Sequence, residues 1–186
     1  MNKIITLILI SIFLASCNLD EKKIDQLSIA TEYYSALDKS NYSEIDLWFS
    51  DSLAIKEEAY EQVYSQEEYI EFLKWDSTFN PSYEILEIEK IEKGIKAKIS
   101  KSDKRIQFLH KEPFITNQTI KFDKNKITSV EIEYVNFNDS IWEINKNQLL
   151  NWIDQNHPEL NGFIYDQTKN GGKKFLRAME LYKNKN

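Results

Sequence analysis

The stretch "SYEILEIEKIEKGIKAKIS", residues 82–100, decides the fold. In its second half Ile95, Ala97 and Ile99 alternate with lysines and a serine, so one face of an extended chain is apolar and the other is polar. A Lys-Gly pair at 93–94 separates this run from an apolar-rich run before it, and such a pair is typical of a tight turn. The pattern predicts an antiparallel β-hairpin with one buried face.

Strand-like patterns continue after this hairpin. Residues 105–122 are predicted to form a strand with a break at Pro113, because proline cannot donate a hydrogen bond to a neighbouring strand. The polar "DKNK" at 123–126 predicts a turn, and residues 127–134 predict the last long strand. Together with the hairpin, these segments predict three or four antiparallel strands.

Helical patterns precede the strands. The apolar stripe of the first helix, with spacings of three and four, consists of Ile24, Leu27, Ala30, Tyr34 and Leu37. A second, short helix is predicted at 42–49, and a short strand follows at 53–55. A third helix begins after Ser65, because Ser65 and Glu68 match the capping-box pattern, and it ends before Pro81. This order of elements predicts the α+β class.

Residues 136–186 follow the strands and again show helical patterns. One helix is predicted at 146–156, and a final helix is predicted from about Gly171 onward. No repeat or low-complexity linker separates this region from the strands. We therefore expect a C-terminal helical extension that packs on the same domain.

The composition limits the classes of partner. The chain of 186 residues has a formal net charge of −6, and 41% of its residues are hydrophobic, which is enough for a folded core. Only two of its 24 basic residues, Arg105 and Arg177, are arginines. Arginine is the preferred residue for phosphates and base edges, and an acidic surface repels a polyanion. Nucleic acid is therefore not an expected partner.

The sequence lacks the common catalytic motifs. It contains no glycine-rich phosphate loop, no nucleophile elbow and no HExxH motif. The two histidines, His110 and His157, are far apart in sequence and have no metal-ligand spacing around them, so both are interpreted as structural. Neither a metal ion nor a cofactor is predicted.

The N-terminal residues have the pattern of an export signal. Lys3 precedes an uncharged, largely apolar run at 4–14, which is shorter than the roughly 20 residues that a membrane-spanning helix needs. The "LASC" at 14–17 resembles the lipobox of bacterial lipoproteins. The resemblance implies cleavage before Cys17 and attachment of a diacylglycerol, with fatty acyl chains such as palmitate, to its sulfur.

This pattern predicts a lipoprotein signal peptide at 1–16 and a short tether at 17–23. A lipid on Cys17 would anchor the protein to a membrane of the bacterial cell envelope, on the extracytoplasmic side, either in the periplasm or at the surface. An ordinary signal peptide and a buried core cysteine are the alternatives.

Residues 24–135 carry a second resemblance. Its main parts are "ATEYYSALDKSNYSEIDLWFSDSLAI" at 30–55 and "YSQEEYIEFL" at 64–73, followed by the strands. This order is similar to the nuclear transport factor 2-like superfamily, which includes the SnoaL-like polyketide cyclases. The resemblance implies a cone, in which a strongly curved antiparallel sheet wraps around three N-terminal helices and leaves an apolar cavity at its open end.

The implied cavity is the expected ligand site. Aromatic side chains of the helical segments are candidates to line it, and the alternative is that they fill the interior. The candidates for pocket-lining residues are Tyr34, Trp48, Phe49, Phe72 and Trp75.

Two functional hypotheses follow. The leading one is a membrane-anchored, non-catalytic module that binds a small apolar ligand or a protein partner, and the superfamily suggests a homodimer through the outer sheet face. The alternative is a ketosteroid-isomerase-like enzyme, for which Glu57 resembles the family's base and Tyr34 its donor. The run around Glu57 also contains Lys56 and Glu58 and has a solvent-facing pattern, and no second acid is evident.

Overall fold

The structure is a computed structural model that describes residues 25–43 and 45–185. Residues 1–24, which include the predicted signal peptide, the tether and Cys17, lie outside the described residues. The helices are α1 (Gln26–Lys39), α2 (Gln66–Ser77), α3 (Lys104–Leu109), α4 (Asp139–Asn156) and α5 (Lys169–Lys183). The strands are β1 (Phe49–Glu57), β2 (Tyr60–Ser65), β3 (Ser82–Ile91), β4 (Gly94–Ser102), β5 (Phe114–Asp123) and β6 (Lys126–Tyr134). Within these described ranges no helix combines the length and apolarity needed to cross a membrane.

Over the described residues the strands form one six-stranded sheet in the order β2-β1-β6-β5-β4-β3. Shifts of register, which bend strands, interrupt the β1–β6, β3–β4 and β5–β6 pairs. The predicted α+β fold with a curved sheet is confirmed. The prediction that the sheet is antiparallel throughout is wrong, because β1 and β6 are parallel. A long connection separates these two strands, so no tight turn forces them to run in opposite directions.

The predicted hairpin at 82–100 is confirmed as β3 and β4, and the alternating apolar residues of β4 are buried. Helix α1 packs against this hairpin, while α2 packs against β1 and β2. The described part of the predicted stripe on α1 is confirmed as well, since Ala30, Tyr34 and Leu37 are buried and the half-buried Leu27 packs against the same core. These contacts place both N-terminal helices on the sheet.

The prediction of a helix at 42–49 is wrong. Only Ile45–Leu47 form a single 3₁₀ turn, and β1 begins at Phe49, which pairs with Ile127 of β6. The apolar spacing suited a helix, but pairing with β6 extends the chain instead. In the described part of the chain, the sheet therefore covers two N-terminal helices and a 3₁₀ turn rather than three helices.

The strand predicted at 53–55 is the centre of the longer β1, and its neighbour β2 was not predicted. Strand β2 lies at the edge of the sheet, and four of the six residues in its burial pattern are exposed. The alternation that marks a half-buried strand is therefore weak in its sequence.

The prediction of a strand over 105–122 is correct only for its second half. Its first residues belong to α3, and β5 begins at Phe114. The buried carboxylate of Asp103 caps α3 by accepting a hydrogen bond of 2.6 Å from the Ile106 N–H. This cap stabilises a helical turn where the sequence pattern favoured extended chain.

The first helix of the C-terminal extension begins earlier than predicted. Helix α4 starts at Asp139, well before residue 146, because Asn138 provides its N-cap. Helix α5 starts at Lys169 with Thr168 as its N-cap.

A second apolar core joins the extension to α2 and α3. The Phe79 ring, just after α2, lies 5.2 Å from the Trp75 ring and 5.5 Å from the Phe175 ring of α5. The buried members of this core are Trp75, Phe79, Phe108, Leu109, Leu149, Ile153, Phe163, Phe175, Ala178 and Met179. The extension is thus packed against the same helix that lies on the sheet.

The N-terminus of α2 offers a local test of the fold. The Ser65 hydroxyl accepts from the Glu68 N–H at 3.3 Å, and the Glu68 carboxylate accepts from the Ser65 N–H at 2.8 Å. The predicted capping box is therefore present. Ser65→Ala is expected to lower the free energy of unfolding by about 1 kcal/mol, because α2 loses its N-cap acceptor. Urea unfolding measures the loss.

The matched control for this variant is Ser28→Ala, which removes an exposed serine from α1. It is expected to remain within about 0.5 kcal/mol of wild type. Equal stabilities of the two variants would contradict the cap.

Candidate functional site

A cavity of about 560 Å³ lies between the sheet, the two N-terminal helices and the extension. Its volume falls within the range of small-molecule sites, roughly 300–1,000 Å³. Its aromatic wall includes Tyr64, Tyr69, Phe72, Trp75, Phe114 and Trp142. Four charged side chains, three glutamines and a threonine interrupt this wall.

The first polar group in the wall is a buried ion pair. Asp76, on α2, accepts hydrogen bonds from the Lys101 ammonium of β4 at 2.7 Å and from the Tyr83 hydroxyl of β3 at 3.1 Å. Burial by itself would raise the pKa of Asp76, but the charges of Lys101 and Arg105, together with these hydrogen bonds, hold the pKa below its usual value. Asp76 is therefore an ionised, fully engaged carboxylate, and it is a poor proton acceptor.

Next to this pair lies Arg105, which stands on α3. Its guanidinium carbon is 4.8 Å from the centre of the Trp75 ring, and its Nη2 lies 3.4 Å from a carboxylate oxygen of Asp103. The Arg105 Nε and the Trp75 Nε1 are both buried, and neither has a hydrogen-bond partner among the described residues. Two buried N–H donors, on residues that line the cavity, are thus without an acceptor among the described residues.

A satisfied network occupies another side of the cavity. The Gln118 amide donates to the Thr116 hydroxyl at 2.9 Å and accepts from the Tyr34 hydroxyl at 2.9 Å. The Tyr33 and Tyr69 hydroxyls lie 2.8 Å apart, and burial raises the pKa of Tyr33 to about 12. These tyrosines are neutral at physiological pH.

Glu57 lies in the cavity wall at the end of β1. Its carboxylate accepts a hydrogen bond from the Tyr134 hydroxyl of β6. Burial, followed by the negative charge and hydrogen bond of Glu57, raises the pKa of Tyr134 far above its usual value. The next residue, Glu58, is exposed and accepts from the Tyr134 backbone N–H at 2.8 Å. The solvent-facing pattern predicted for this run therefore holds for Lys56 and Glu58, which are exposed, while Glu57 is half-buried.

The predicted pocket residues lie in two places. Phe72 and Trp75 stand in the cavity wall. Tyr34, Trp48 and Phe49 belong to the main core between α1, α2 and the sheet, and they are not among the residues that line the cavity. Tyr34 contacts the cavity wall through its hydrogen bond to Gln118 and through the ring of Tyr33, whose centre lies 5.1 Å from its own.

The sequence patterns did not predict Asp76, Lys101 or Arg105 as residues of the site. They come from α2, β4 and α3, and only the folded chain brings them together. One signal was available, because Asp76 continues the spacing of Tyr69, Phe72 and Leu73 on the buried side of α2. A carboxylate on an apolar stripe needs a buried partner, and such residues are candidates for a site.

The extension also contributes to the cavity. Phe137, Trp142 and Gln167 line it. His110 holds this region in place: its Nδ1 donates to the Glu112 carbonyl at 2.8 Å, and its Nε2 accepts from the Asn138 N–H at 2.9 Å. His110 thus has a structural contact with the residue that caps α4.

The described residues contain no cluster of three or more histidine, cysteine, aspartate and glutamate side chains arranged to hold a metal ion.

Comparisons with known proteins support the fold and do not establish a function. No family model matches the chain, and no curated protein matches its sequence. Solved structures do match. A proposed polyketide cyclase from Acidithiobacillus ferrooxidans is similar with a TM-score of 0.53 and 9% identity, over 67% of this chain and 96% of that one. The chain has the nuclear transport factor 2-like fold.

Two further structures share this fold. A proposed ketosteroid isomerase from Kribbella flavida matches with a TM-score of 0.51 and 7% identity, over 61% of this chain and 80% of that one. A nuclear transport factor 2-like protein of unknown function from Cytophaga hutchinsonii matches with a TM-score of 0.50 and 10% identity, over 62% and 94% of the two chains. At these identities the likeness concerns architecture, and function has to be argued from the site.

Proposed function

We propose that this protein is an envelope lipoprotein, anchored through Cys17, whose cone-shaped domain binds a small and largely apolar molecule in its cavity. The observation that carries the proposal is the cavity of about 560 Å³ with its aromatic wall and the polar side chains that interrupt it. A preformed apolar pocket with a few convergent polar groups is the usual form of a small-molecule site.

The alternative occupant is a protein partner that binds to the surface of the domain. A module of that kind is expected to have a filled interior and an apolar patch on its surface. The interior of this chain retains room for a ligand, and aromatic rings from α2, β5 and α4 face that room (Phe72, Phe114 and Trp142). The small ligand is therefore the better supported occupant.

An enzyme is the second candidate, and Glu57 is the observation that favours it. Its carboxylate lines the cavity and accepts a hydrogen bond from Tyr134, so a bound molecule would lie beside a carboxylate and a tyrosine hydroxyl. Such a pair can transfer a proton to or from a bound molecule. If the ligand is converted on incubation and Glu57→Gln abolishes the conversion, the enzyme is favoured. Recovery of unchanged ligand favours the binding protein.

Native mass spectrometry tests the binding proposal. The chain of residues 17–186 with Cys17→Ser, purified from its native host, is expected to carry a small molecule whose mass disappears on denaturation. A native mass equal to the denatured mass, in a folded sample, would remove the proposal.

The anchor needs a separate test. Labelled palmitate is expected to be incorporated into the wild-type chain and not into Cys17→Ala. Equal labelling of the two chains would refute the anchor and leave the cavity proposal standing.

A further inference from the structure

Trp75 and Arg105 are neighbours in one corner of the cavity wall, and each has a buried hydrogen-bond donor that lacks an acceptor among the described residues. The Trp75 Nε1–H and the Arg105 Nε–H have no partner among the residues that the structure describes, and both side chains line the cavity. Trp75 is only 4% exposed, and the Arg105 side chain is 17% exposed. A buried indole N–H is normally hydrogen-bonded, and an unsatisfied buried donor is costly. The two donors therefore indicate a missing acceptor.

The neighbouring carboxylates do not supply this acceptor. Asp76 is engaged by Lys101 at 2.7 Å and by Tyr83 at 3.1 Å. Asp103 uses one oxygen to cap α3 and approaches Arg105 Nη2 only at 3.4 Å, which is longer than the roughly 2.7–2.9 Å of a charge-assisted hydrogen bond. The guanidinium of Arg105, a residue that lines the cavity, is thus incompletely paired.

We propose that this corner binds the carboxylate of the ligand, with the Arg105 guanidinium and the Trp75 indole N–H as donors. A permanently charged guanidinium suits a planar carboxylate better than a neutral carbonyl. The rest of the cavity, with Phe72, Phe114 and Trp142 in its wall, suits an apolar or aromatic body. The ligand class is therefore a small organic acid with an apolar body. This inference rests on the proposed function and specifies the ligand of the same site.

A matched pair of probes tests the inference. Phenylbutyrate and phenylbutyramide have nearly the same shape and differ in the charge of one group. Isothermal titration of residues 17–186 with Cys17→Ser is expected to show about tenfold tighter binding of the acid, since the guanidinium pairs more strongly with an anionic carboxylate than with a neutral amide oxygen.

Three variants assign the effect to this corner. Arg105→Met is expected to weaken binding of the acid more than binding of the amide and so to remove the preference for the acid, and Trp75→Phe is expected to reduce the preference. Arg177→Met is the matched control, because it changes the chain's other arginine, whose side chain is 61% exposed on α5. It is expected to bind both probes as wild type does.

The outcomes separate the two proposals. Equal affinities of wild type for acid and amide, or a preference that survives in Arg105→Met, would overturn the carboxylate site and leave the cavity proposal intact. A folded wild type that binds neither probe would count against both. If Arg105→Met does not fold, the affinities of wild type and of Trp75→Phe for the acid and the amide still test the carboxylate site.

Discussion

Replacing Asp76 by alanine is expected to lower the free energy of unfolding by about 3–5 kcal/mol, because it leaves the charge of a buried pair without its partner. The Asp76 side chain is 3% exposed and that of Lys101 is 19% exposed. The variant also leaves the Tyr83 hydroxyl without its acceptor. Urea unfolding at neutral pH measures the loss.

The control for Asp76→Ala is Glu71→Ala on the same helix. Glu71 pairs with Lys74 at 2.6 Å, but both side chains are largely exposed, at 55% and 41%. Such surface pairs contribute about 0–1 kcal/mol, so the control is expected to remain near wild type. Similar losses in the two variants would contradict the role of the buried pair.

The same residue gives the stability a pH dependence of known sign. The pKa of Asp76 is lowered in the folded protein, so folding favours its ionised form. Its contribution is fully present above the pKa of the unfolded chain, about 3.9, and is lost as the pH falls through the lower folded pKa. The difference in stability between wild type and Asp76→Asn is expected to shrink below about pH 4. A difference that stays constant down to the acid transition would contradict this linkage.

Replacing Phe175 by alanine is expected to have an effect of similar size, about 3–5 kcal/mol, because it opens a cavity in the second core. Phe175 is 2% exposed, and its ring lies 4.8 Å from Phe163 and 5.5 Å from Phe79. Since Phe79 directly follows α2, this contact couples the extension to the helix that lines the ligand cavity. Chemical unfolding followed by tryptophan fluorescence and by circular dichroism measures the loss.

Tyr165→Ala provides the matched control for Phe175→Ala. It removes an aromatic side chain from the same extension, but Tyr165 is 86% exposed, so the change is expected to remain within about 0.5 kcal/mol. Both probes are expected to report one transition in every variant. Two separate transitions in wild type would show that the extension unfolds independently of the sheet.

Local signals in the sequence predicted the parts of the fold that depend on local chemistry. The alternation in 82–100 and the Lys-Gly pair at 93–94 specify β3 and β4, because a period of two leaves one buried face. Ser65 and Glu68 likewise specify the start of α2. In each case the residues that carry the signal are neighbours in sequence.

The errors arose where distant contacts decide the structure. The spacing of Ile45, Trp48 and Phe49 suits a helix, yet Phe49 pairs with β6 and the chain extends. Strand β2 gives almost no signal, because it lies at an edge with most of its side chains exposed.

The candidate site also depends on contacts between residues that are distant in sequence. Phe72 and Trp75 could be proposed from the apolar side of α2, and they do stand in the cavity wall. The Asp76–Lys101 pair joins α2 to β4, and Arg105 reaches it from α3. No local pattern relates these residues, because their proximity depends on the curvature of the sheet and on the short helix after β4.

Ligand binding in the cavity can be tested by dye binding to a variant in which a larger side chain fills that space. Ile132, on β6, lines the cavity and is half-buried, so Ile132→Trp places an indole in that space. Leu86→Trp, at a position of β3 that is 42% exposed and outside the cavity wall, is the control. Folded Ile132→Trp is expected to bind anilinonaphthalene sulfonate at least about tenfold more weakly than wild type, and Leu86→Trp is expected to bind it as wild type does. Equal affinities of wild type and both variants would contradict ligand binding in the cavity.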